Sequence, residues 1–374
     1  MWCLFVALVW VPSAGAEEVE GLEQALSEIQ ERFPKDVASD ALYRAALDGV
    51  AKHLGEVMGV DGNRVLTSEE QREHEAWLEG RREGIGAEFS IIAGRGIQIT
   101  SVFEDGPAAK AGVREGDLVV SMNNHPFTGQ PASGIHGYVS QNQEPNTVLD
   151  VRRTDGTIRR LSVKRGQYRV PSVRATVINQ NTAVAQVPFF GKGSAKAIEQ
   201  FLRSQRSASA VVIDLRDNQE GSLDEALAAA DLFLDPGSIV VNRGRERSNL
   251  EPITATDPPV WVRNVVVLVN KGTRGVSEAF AAALKDNGRC VLVGTRSAGR
   301  SVDSSWYSVG RGYVMKLADI HLASPSGLSW ERRGLEPNVT VESTGLSFPV
   351  SGVSAPPDLQ RDTAIRLIST GGAR

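Results

Sequence analysis

The chain has 374 residues, a length that exceeds one ordinary hydrophobic core and predicts two or three domains. Hydrophobic residues make up 41% and charged residues 23% of the chain, which is the composition of an ordinary globular protein. The formal net charge is -4 and both signs are well mixed, so no basic surface is indicated and nucleic acid is not expected as a partner.

The first 16 residues differ from the rest of the chain and predict a signal peptide. Residues 4–11 are apolar, residues 14–16 have the small-residue pattern of a cleavage site, and acidic residues begin at Glu17. An uncleaved anchor is the alternative, but the apolar run is short for a membrane span, and no other segment is apolar enough to cross a bilayer. We therefore expect cleavage after Ala16 and a periplasmic or secreted protein without a membrane span.

The segment that follows, residues 17–82, is predicted to be helical. Apolar residues recur at helical spacing on both sides of Pro34, which interrupts the pattern. Thr67 or Ser68 can cap a further helix.

Residues 83–167 change character and predict a small β-rich domain. Short apolar runs alternate with turns that contain Gly and Asp. Asp155-Gly156 lies between two such runs, which is a hairpin signal.

Residues 168–345 alternate strand-like and helix-like segments. The runs at 210–215 and 265–269 are continuously apolar, and helices are predicted at 194–204, 223–234 and 277–285. This alternation predicts an α/β core with a mainly parallel sheet that is covered on both faces. Functional groups in such sheets lie beyond the strand ends, which points to the loops at 216–222 and 270–276.

The last segment, residues 346–374, is expected to be a linker followed by a short helix at 358–368. The fold class is therefore multidomain, α+β and α/β, with a helical region, a β domain and an α/β core in that order.

Metal and cofactor chemistry have little support in the sequence. The five histidines do not occur at ligand spacing, so no metal site and no cofactor are expected. Residues 191–194 (Gly-Lys-Gly-Ser) open a helix and could bind an anion, but they lack a phosphate-loop spacing and are better interpreted as a turn. Cys290 is left alone after loss of Cys3 with the leader, and a small buried side chain is its simplest role.

The β-rich segment resembles a PDZ domain of the bacterial protease kind. It contains Gly-Pro-Ala-Ala-Lys-Ala-Gly-Val at 106–113 and Glu-Gly-Asp at 115–117, close to a frequent signature of those domains. The resemblance implies that a Gly-rich loop offers backbone N–H groups to a C-terminal carboxylate while the peptide adds to the sheet as a strand. That loop would consist of Gly84, Ile85, Gly86 and Ala87.

The C-terminal half resembles the carboxyl-terminal processing, or tail-specific, serine peptidases. The similarity rests on an ordered series of short motifs: Asp-Leu-Arg-Asp-Asn at 214–218, Ser-Glu-Ala at 277–279, Val-Gly-Thr at 293–295, Ser-Pro-Ser-Gly at 324–327 and Gly-Leu-Glu-Pro-Asn at 334–338. The order of leader, helical region and PDZ-like domain is also that of the family. The resemblance implies a Ser nucleophile, a Lys general base and an assisting Gln.

At those family positions this chain carries other residues. The nucleophile position is Gly275, the base position is Arg300 and the Gln position is Ser304. Arg stays protonated in proteins and cannot act as a general base. The family turn Asn-Pro-Gly-Gly becomes Asn-Gln-Glu-Gly, so Glu220 and Gly221 stand in the oxyanion region, where a fixed negative charge opposes oxyanion stabilisation.

Three hypotheses follow from this pattern. The first is a proteolytically inactive homologue that binds polypeptide C-termini, unfolded proteins or an active protease relative through its PDZ domain. The second is an active serine endopeptidase with a displaced nucleophile such as Ser277 or Ser297, although Ser277 is more simply a helix cap. The third is a structural assembly factor that binds no peptide.

Overall fold

A computed structural model describes residues 14–179, 182–243, 250–255, 257–342 and 358–372. Most of the predicted signal peptide and the predicted linker at 346–357 lie outside the described residues. The described residues up to Gln71, together with Ser304–Asp319, form one compact unit, and those from Arg72 to Asp303, together with those from Ile320 onward, form the other.

The helices and strands fall into three successive parts of the chain. The N-terminal part contains α1 (Ala14–Arg32), α2 (Ser39–Met58), β1 (Arg64–Thr67), α3 (Ser68–Leu78) and β2 (Arg81–Gly84). The middle part contains β3 (Ala87–Ile92), β4 (Gly96–Val102), α4 (Pro107–Lys110), β5 (Leu118–Met122), β6 (His125–Pro126), α5 (Ala132–Gln141), β7 (Asn146–Arg152), β8 (Ile158–Lys164) and β9 (Gly166–Arg169). The C-terminal part contains β10 (Arg174–Asn179), β11 (Thr182–Gln186), α6 (Ser194–Ser204), β12 (Ala210–Asp214), α7 (Leu223–Asp231), β13 (Gly237–Arg243), β14 (Leu250–Ala255), β15 (Asn264–Val269), α8 (Val276–Asp286), β16 (Val291–Gly294), β17 (Val302–Ser308), β18 (Tyr313–Ala323), β19 (Val339–Thr340) and α9 (Leu359–Ser369).

The first unit is mostly helical, as the sequence predicts, with one correction. β1 interrupts the predicted helical region and pairs antiparallel with the first residues of β18, Thr67 opposite Tyr313. This pairing joins residues about 250 positions apart, so local periodicity could not indicate it. The predicted cap of α3 is present, because Thr67 Oγ1 accepts from Glu70 N and Glu70 Oε2 accepts from Thr67 N.

The middle part is an antiparallel sheet in the order β3-β4-β5-β7-β8, and β6 pairs with β5. The predicted turn at Asp155-Gly156 joins β7 and β8, and Asp155 Oδ1 accepts from Thr157 N at 2.9 Å. α5 was not predicted from the sequence. β2 and β9 form a separate two-stranded ribbon at the start and end of this part.

The C-terminal part confirms the predicted α/β core. Its six-stranded sheet runs β10-β11-β12-β15-β16-β19, parallel throughout except for β10, which is antiparallel to β11. A large apolar cluster that includes residues of α6, α7 and α8 covers one face, and a smaller one that includes Ala364 and Ile368 of α9 covers the other. The strands β12 and β15 are buried on both sides, which explains their continuously apolar sequences. Their carboxyl ends lead into the two loops that the sequence singled out.

Candidate functional site

The loops after β12 and β15 are joined by hydrogen bonds. Asp217 N donates to Asn270 Oδ1 at 3.0 Å, and Asn270 Nδ2 returns a bond to Asp217 Oδ1 at 3.0 Å. Arg274 N donates to Asn218 O at 2.9 Å, and the buried Thr273 hydroxyl donates to Leu215 O. The two loops therefore form one preorganised surface at the end of the sheet, as the parallel topology predicts.

Asn218 lies between the loops after β12 and β15 and is fully buried. Its Nδ2 donates to Val187 O at 2.8 Å, and its carbonyl oxygen accepts from Arg274 N and Ser277 Oγ. Its Oδ1 has no hydrogen-bond partner in the described part of the chain. Asn218 thus positions both loops.

Gly275 lies immediately before α8 with φ +66° and ψ -119°. L-amino acids rarely adopt this conformation, and holding one there costs of the order of 1–3 kcal/mol. A Cβ at Gly275 would have no atom within 4 Å of it, other than the residue's own chain neighbours. A sharp strand-to-helix turn of this kind is the backbone geometry that presents a nucleophile in other hydrolases, but here it presents no side chain.

The carboxylate of Glu278 joins Gly275 to the segment that carries Arg300. Its Oε2 accepts from Gly275 N at 3.0 Å and from Arg300 N at 2.8 Å, and its Oε1 accepts from Gly299 N at 2.7 Å and from the Ser297 hydroxyl. Burial raises the pKa of Glu278, and the four donors oppose that rise. Gly275 and Arg300 bond the same oxygen atom, so the structure brings these two predicted positions together.

The hydroxyl groups of the two alternative nucleophiles are occupied. Ser277 is fully buried inside the first turn of α8, and its Oγ donates to Asn218 O at 3.2 Å. The predicted capping role of Ser277 is therefore wrong, because the helix begins one residue earlier and Gly275 stands at the N-cap. Ser297 is 6% exposed, donates to Glu278 Oε1 and accepts from Leu335 N at 2.6 Å.

The remaining predicted positions do not bond Glu278. Ser304 belongs to β17, and Ser304–Asp319 are counted with the first compact unit. Glu220 is exposed, and its carbonyl oxygen accepts from Phe190 N at 3.3 Å. Gly221 is sterically required, because a Cβ there would lie 2.6 Å from Phe190 Cβ.

The predicted carboxylate-binding loop runs from β2 to the start of β3. Ile85 O accepts from Ala108 N at 2.6 Å, and Gly86 O accepts from Phe103 N at 3.1 Å. Gly86 has φ +74°, and a Cβ there would lie 2.9 Å from Pro107 Cδ, so the loop needs glycine where it contacts the Gly106-Pro107 turn.

The edge of the sheet beside this loop is open. β3 is the terminal strand of its sheet and pairs only with β4 among the described strands. Because Phe103 N donates to Gly86 O, Ala87 and Val102 form a non-hydrogen-bonded pair, and the Ala87 N–H points away from β4. The partly buried apolar residues Ile85, Ala87, Ile91, Tyr138 and Val139 surround this edge of the domain core.

Two further features that the sequence singled out, the turn at 191–194 and Cys290, have structural roles. The turn at 191–194 opens α6, whose N-terminus is occupied by a side chain of the protein: Glu225 accepts from Gly193 N at 2.7 Å and from Ala195 N at 3.0 Å. Burial of the Cys290 thiol raises its pKa to about 12, which leaves it without thiolate at neutral pH.

The sequence did not reveal the central role of Glu278 in connecting the loops. The motif Ser-Glu-Ala marked its position, but the role depends on residues 297–300 approaching α8 from later in the chain. The only sequence signal is an acidic residue three positions after a helix-opening glycine, which is the position from which a side chain reaches back to the N-cap.

Comparisons with known proteins agree with this architecture. Residues 181–341 match Peptidase family S41, and residues 98–153 match the PDZ domain. A Staphylococcus saprophyticus protein named as a CtpA-like serine protease is 26% identical over 329 residues, which cover 87% of this chain and 66% of that protein. A Staphylococcus epidermidis protein of the same name is 25% identical over 334 residues, with 88% and 66% coverage.

Solved structures give the same fold. An S41 protease from Bacteroides fragilis superposes with a TM-score of 0.62 at 17% identity, over 84% of this chain and 87% of that one. The photosystem II D1 C-terminal processing protease superposes with a TM-score of 0.53 at 20% identity, over 90% and 92%.

Together, the parallel core with its helix-opening turn and the preceding PDZ domain define the class of serine-peptidase-like proteins with a PDZ domain. Residues 181–341 belong to peptidase family S41, and the chain is similar to the CtpA-type, carboxyl-terminal processing members of that family. It spans 66% of the length of the two staphylococcal relatives. Among the helices that the structure describes, none is both long and apolar enough to cross a membrane.

Proposed function

We propose that this chain is a proteolytically inactive member of its family that binds polypeptide C-termini through the PDZ domain. The observation that carries the proposal is the turn before α8, which holds the strained backbone suited to a nucleophile but places Gly275 there. Loss of a nucleophile alone removes most of the rate enhancement of a serine peptidase.

The neighbouring residues support the same conclusion. Ser277 and Ser297 donate to protein acceptors in buried positions, so neither hydroxyl can attack a substrate without the loops opening. Arg300 cannot accept a proton from a serine. The displaced-nucleophile alternative would therefore require Ser277 or Ser297 to break these hydrogen bonds before either could act.

The PDZ loop supports binding. The carbonyl oxygens of Ile85 and Gly86 accept from Ala108 N and Phe103 N, whereas the Ala87 N–H points to the open edge of β3. An extended peptide can pair with such an edge, and its terminal carboxylate can accept from the loop N–H groups. The proposed ligand is therefore a free polypeptide C-terminus, presented by an unfolded protein or by a partner such as an active relative.

The inactivity proposal is tested with purified protein, an unfolded protein substrate and a fluorophosphonate probe that labels reactive serines. We expect neither cleavage nor labelling. Cleavage that disappears in Ser277→Ala or in Ser297→Ala would overturn the proposal and establish the displaced nucleophile.

A gain-of-function variant completes that test. Gly275→Ser combined with Arg300→Lys and Ser304→Gln restores the family residues, and we expect measurable labelling by the same probe. The matched control carries Gly275→Ala with the other two substitutions, which has the same backbone strain but no hydroxyl. Labelling of the control would show that the probe reacts elsewhere.

The binding proposal is tested separately with a library of peptides that share sequences but end in either a carboxylate or an amide. We expect binding only of the carboxylate form. If the protein binds both forms equally, or binds neither form, the hypothesis of a PDZ adaptor is wrong and the structural assembly role remains.

Export and the domain limits at 17–82, 83–167 and 168–345 are part of the same proposal. They rest on the leader-like residues 1–16 and on the changes of sequence pattern along the chain. N-terminal sequencing of the protein recovered from a cell envelope fraction tests the predicted cleavage after Ala16.

A further inference from the structure

A cavity lies in the α/β core, between the C-terminal half of α8 and residues 324–336. It has a volume of about 420 Å³, within the range of small-ligand sites. Its walls come from α8, from the turn at 324–329, and from the segment 330–336. None of the nucleophile, base or oxyanion positions of the family lines it.

The apolar part of the cavity is held in a fixed shape. Leu328 is 70% exposed on a tight turn, in which Ser324 N donates to Leu328 O and Gly327 N donates to Ser324 O. Asp286 at the end of α8 secures that turn by accepting from Ser326 N at 2.7 Å. Ala282, Trp330 and Leu335 provide the remaining apolar wall.

Five charged side chains line the cavity, three cations and two carboxylates: Lys285, Arg296, Arg333, Asp286 and Glu336. Arg296 forms an ion pair with Glu336 and donates to Arg333 O at 3.0 Å. Lys285 Nζ donates to Glu336 O at 2.6 Å. The cavity therefore carries one net positive charge.

Arg333 supplies the charge that is not balanced. Its guanidinium is exposed and has no hydrogen-bond or ion-pair partner within the described residues. Its main-chain N–H and carbonyl oxygen, in contrast, both form hydrogen bonds within the cavity wall. A cation beside an apolar wall recognises a ligand in which a single anionic group is attached to an apolar group, since guanidinium binds carboxylates in a bidentate manner.

We infer that this cavity binds an apolar carboxylate, a molecule that joins one carboxylate to a hydrophobic group, with Arg333 as its anchor and Leu328 as its apolar contact. The hydrophobic C-terminal residue of a polypeptide and a free organic acid share this chemistry.

The cavity wall also contacts the segment that carries Arg300. Trp330 Nε1 donates to Arg300 O at 3.1 Å, Arg332 N donates to Gly299 O at 2.7 Å, and Leu335 N donates to Ser297 Oγ. The cavity wall is therefore hydrogen-bonded to residues 297–300, which Glu278 connects to Gly275.

The test uses the full chain and isothermal titration with N-acetyl-phenylalanine, its amide and octanoate. We expect the acid to bind with a Kd below about 1 mM and the amide to bind at least about 10-fold more weakly. Arg333→Ala and Leu328→Ser should each weaken binding about 10-fold or more, whereas Arg333→Lys should retain part of it.

Arg206→Ala is the matched control, since Arg206 is also exposed but does not line the cavity. Ala87→Pro, which targets the PDZ edge, should leave binding unchanged and so separates this cavity from the proposed PDZ function. Preference for a peptide ending in phenylalanine over octanoate assigns the site to polypeptide termini, and the reverse assigns it to free acids. Absence of binding up to about 10 mM, equal binding of acid and amide, or undiminished binding by Arg333→Ala would overturn the inference.

Discussion

The loop before α8 and the loop before β3 both place a glycine with positive φ beside a possible ligand, yet they use their polar groups in opposite ways. Around Gly275, the hydroxyl groups of Ser277 and Ser297 and both oxygens of Glu278 are bonded to the protein itself. In the loop before β3, the carbonyl groups of Ile85 and Gly86 bond inward and the Ala87 N–H faces an open strand edge.

The loop around Gly275 is thus a scaffold whose polar groups bond one another, whereas the loop before β3 lies beside an open strand edge. Buried polar groups that satisfy one another hold a loop rigid, and they are not available to a reacting substrate without first breaking bonds that cost about 1–3 kcal/mol each. An unpaired strand edge is available at no such cost. The α/β core thus keeps the fold of a peptidase with its polar groups bonded internally, while the PDZ domain leaves the Ala87 N–H at an open strand edge. Each of the following variants tests one side of that contrast.

The largest effect is expected at Glu278, the carboxylate that holds the peptidase-like loops together. Glu278→Gln keeps the shape but replaces one acceptor oxygen by an NH2 group, so two of the four donors lose their partner. We expect the free energy of unfolding to fall by about 2–4 kcal/mol in chemical denaturation. Glu199→Gln, on the exposed face of α6, should change stability by less than about 0.5 kcal/mol. Equal stability of the two variants would show that the loops are not held by this carboxylate.

The next effect tests the open edge. Ala87→Pro removes an N–H that makes no bond to β4, so the sheet should persist while the peptide loses a donor. We expect affinity for a carboxylate-terminated peptide to fall about 10- to 100-fold by fluorescence anisotropy. Ala87→Ser keeps the N–H and should bind like the parent chain. If the proline variant binds equally well, peptides do not pair with β3.

The two regions also differ in how far the sequence alone could describe them. The helix at 194–204, the hairpin at Asp155-Gly156 and the parallel sheet were predicted, because each depends on neighbouring residues or on a strong apolar pattern. β1 and its pairing with β18 were not predicted, because strand pairing over long separations leaves no local periodicity. The family resemblance placed Gly275 and Arg300 at related positions, but only the fold reveals that Glu278 bonds both.

A smaller effect is expected from adding a side chain at Gly275. Gly275→Ala has open space for its methyl group, so any loss of stability reports the strained backbone alone. We expect a destabilisation of about 2 kcal/mol in chemical denaturation. Gly137→Ala, in the helix α5 and also with open space, should be neutral or slightly stabilising. If Gly275→Ala leaves the free energy of unfolding unchanged, the turn relaxes readily and is not a rigid remnant of a nucleophile turn.

The smallest effect concerns the ion pair that joins α9 to the loop after β12. Arg216 bonds both oxygens of Asp358 at 2.8 Å. Burial would raise the pKa of Asp358, but the hydrogen bonds and charge of Arg216 outweigh it and lower the pKa below its ordinary value of 3.8. Asp358→Asn should therefore cost about 1 kcal/mol at pH 7.

Because the folded-state pKa of Asp358 is lowered, its stabilisation is present above pH 3.8 and is lost as the pH falls through the lower folded value. The stability difference between the parent chain and Asp358→Asn should narrow over that acidic range in pH-dependent denaturation. Asp362→Asn on the same helix serves as the control for a general change in helix charge. A difference that stays constant with pH would show that the ionised carboxylate of Asp358 does not stabilise the fold, either through Arg216 or through its bond from Arg361 N.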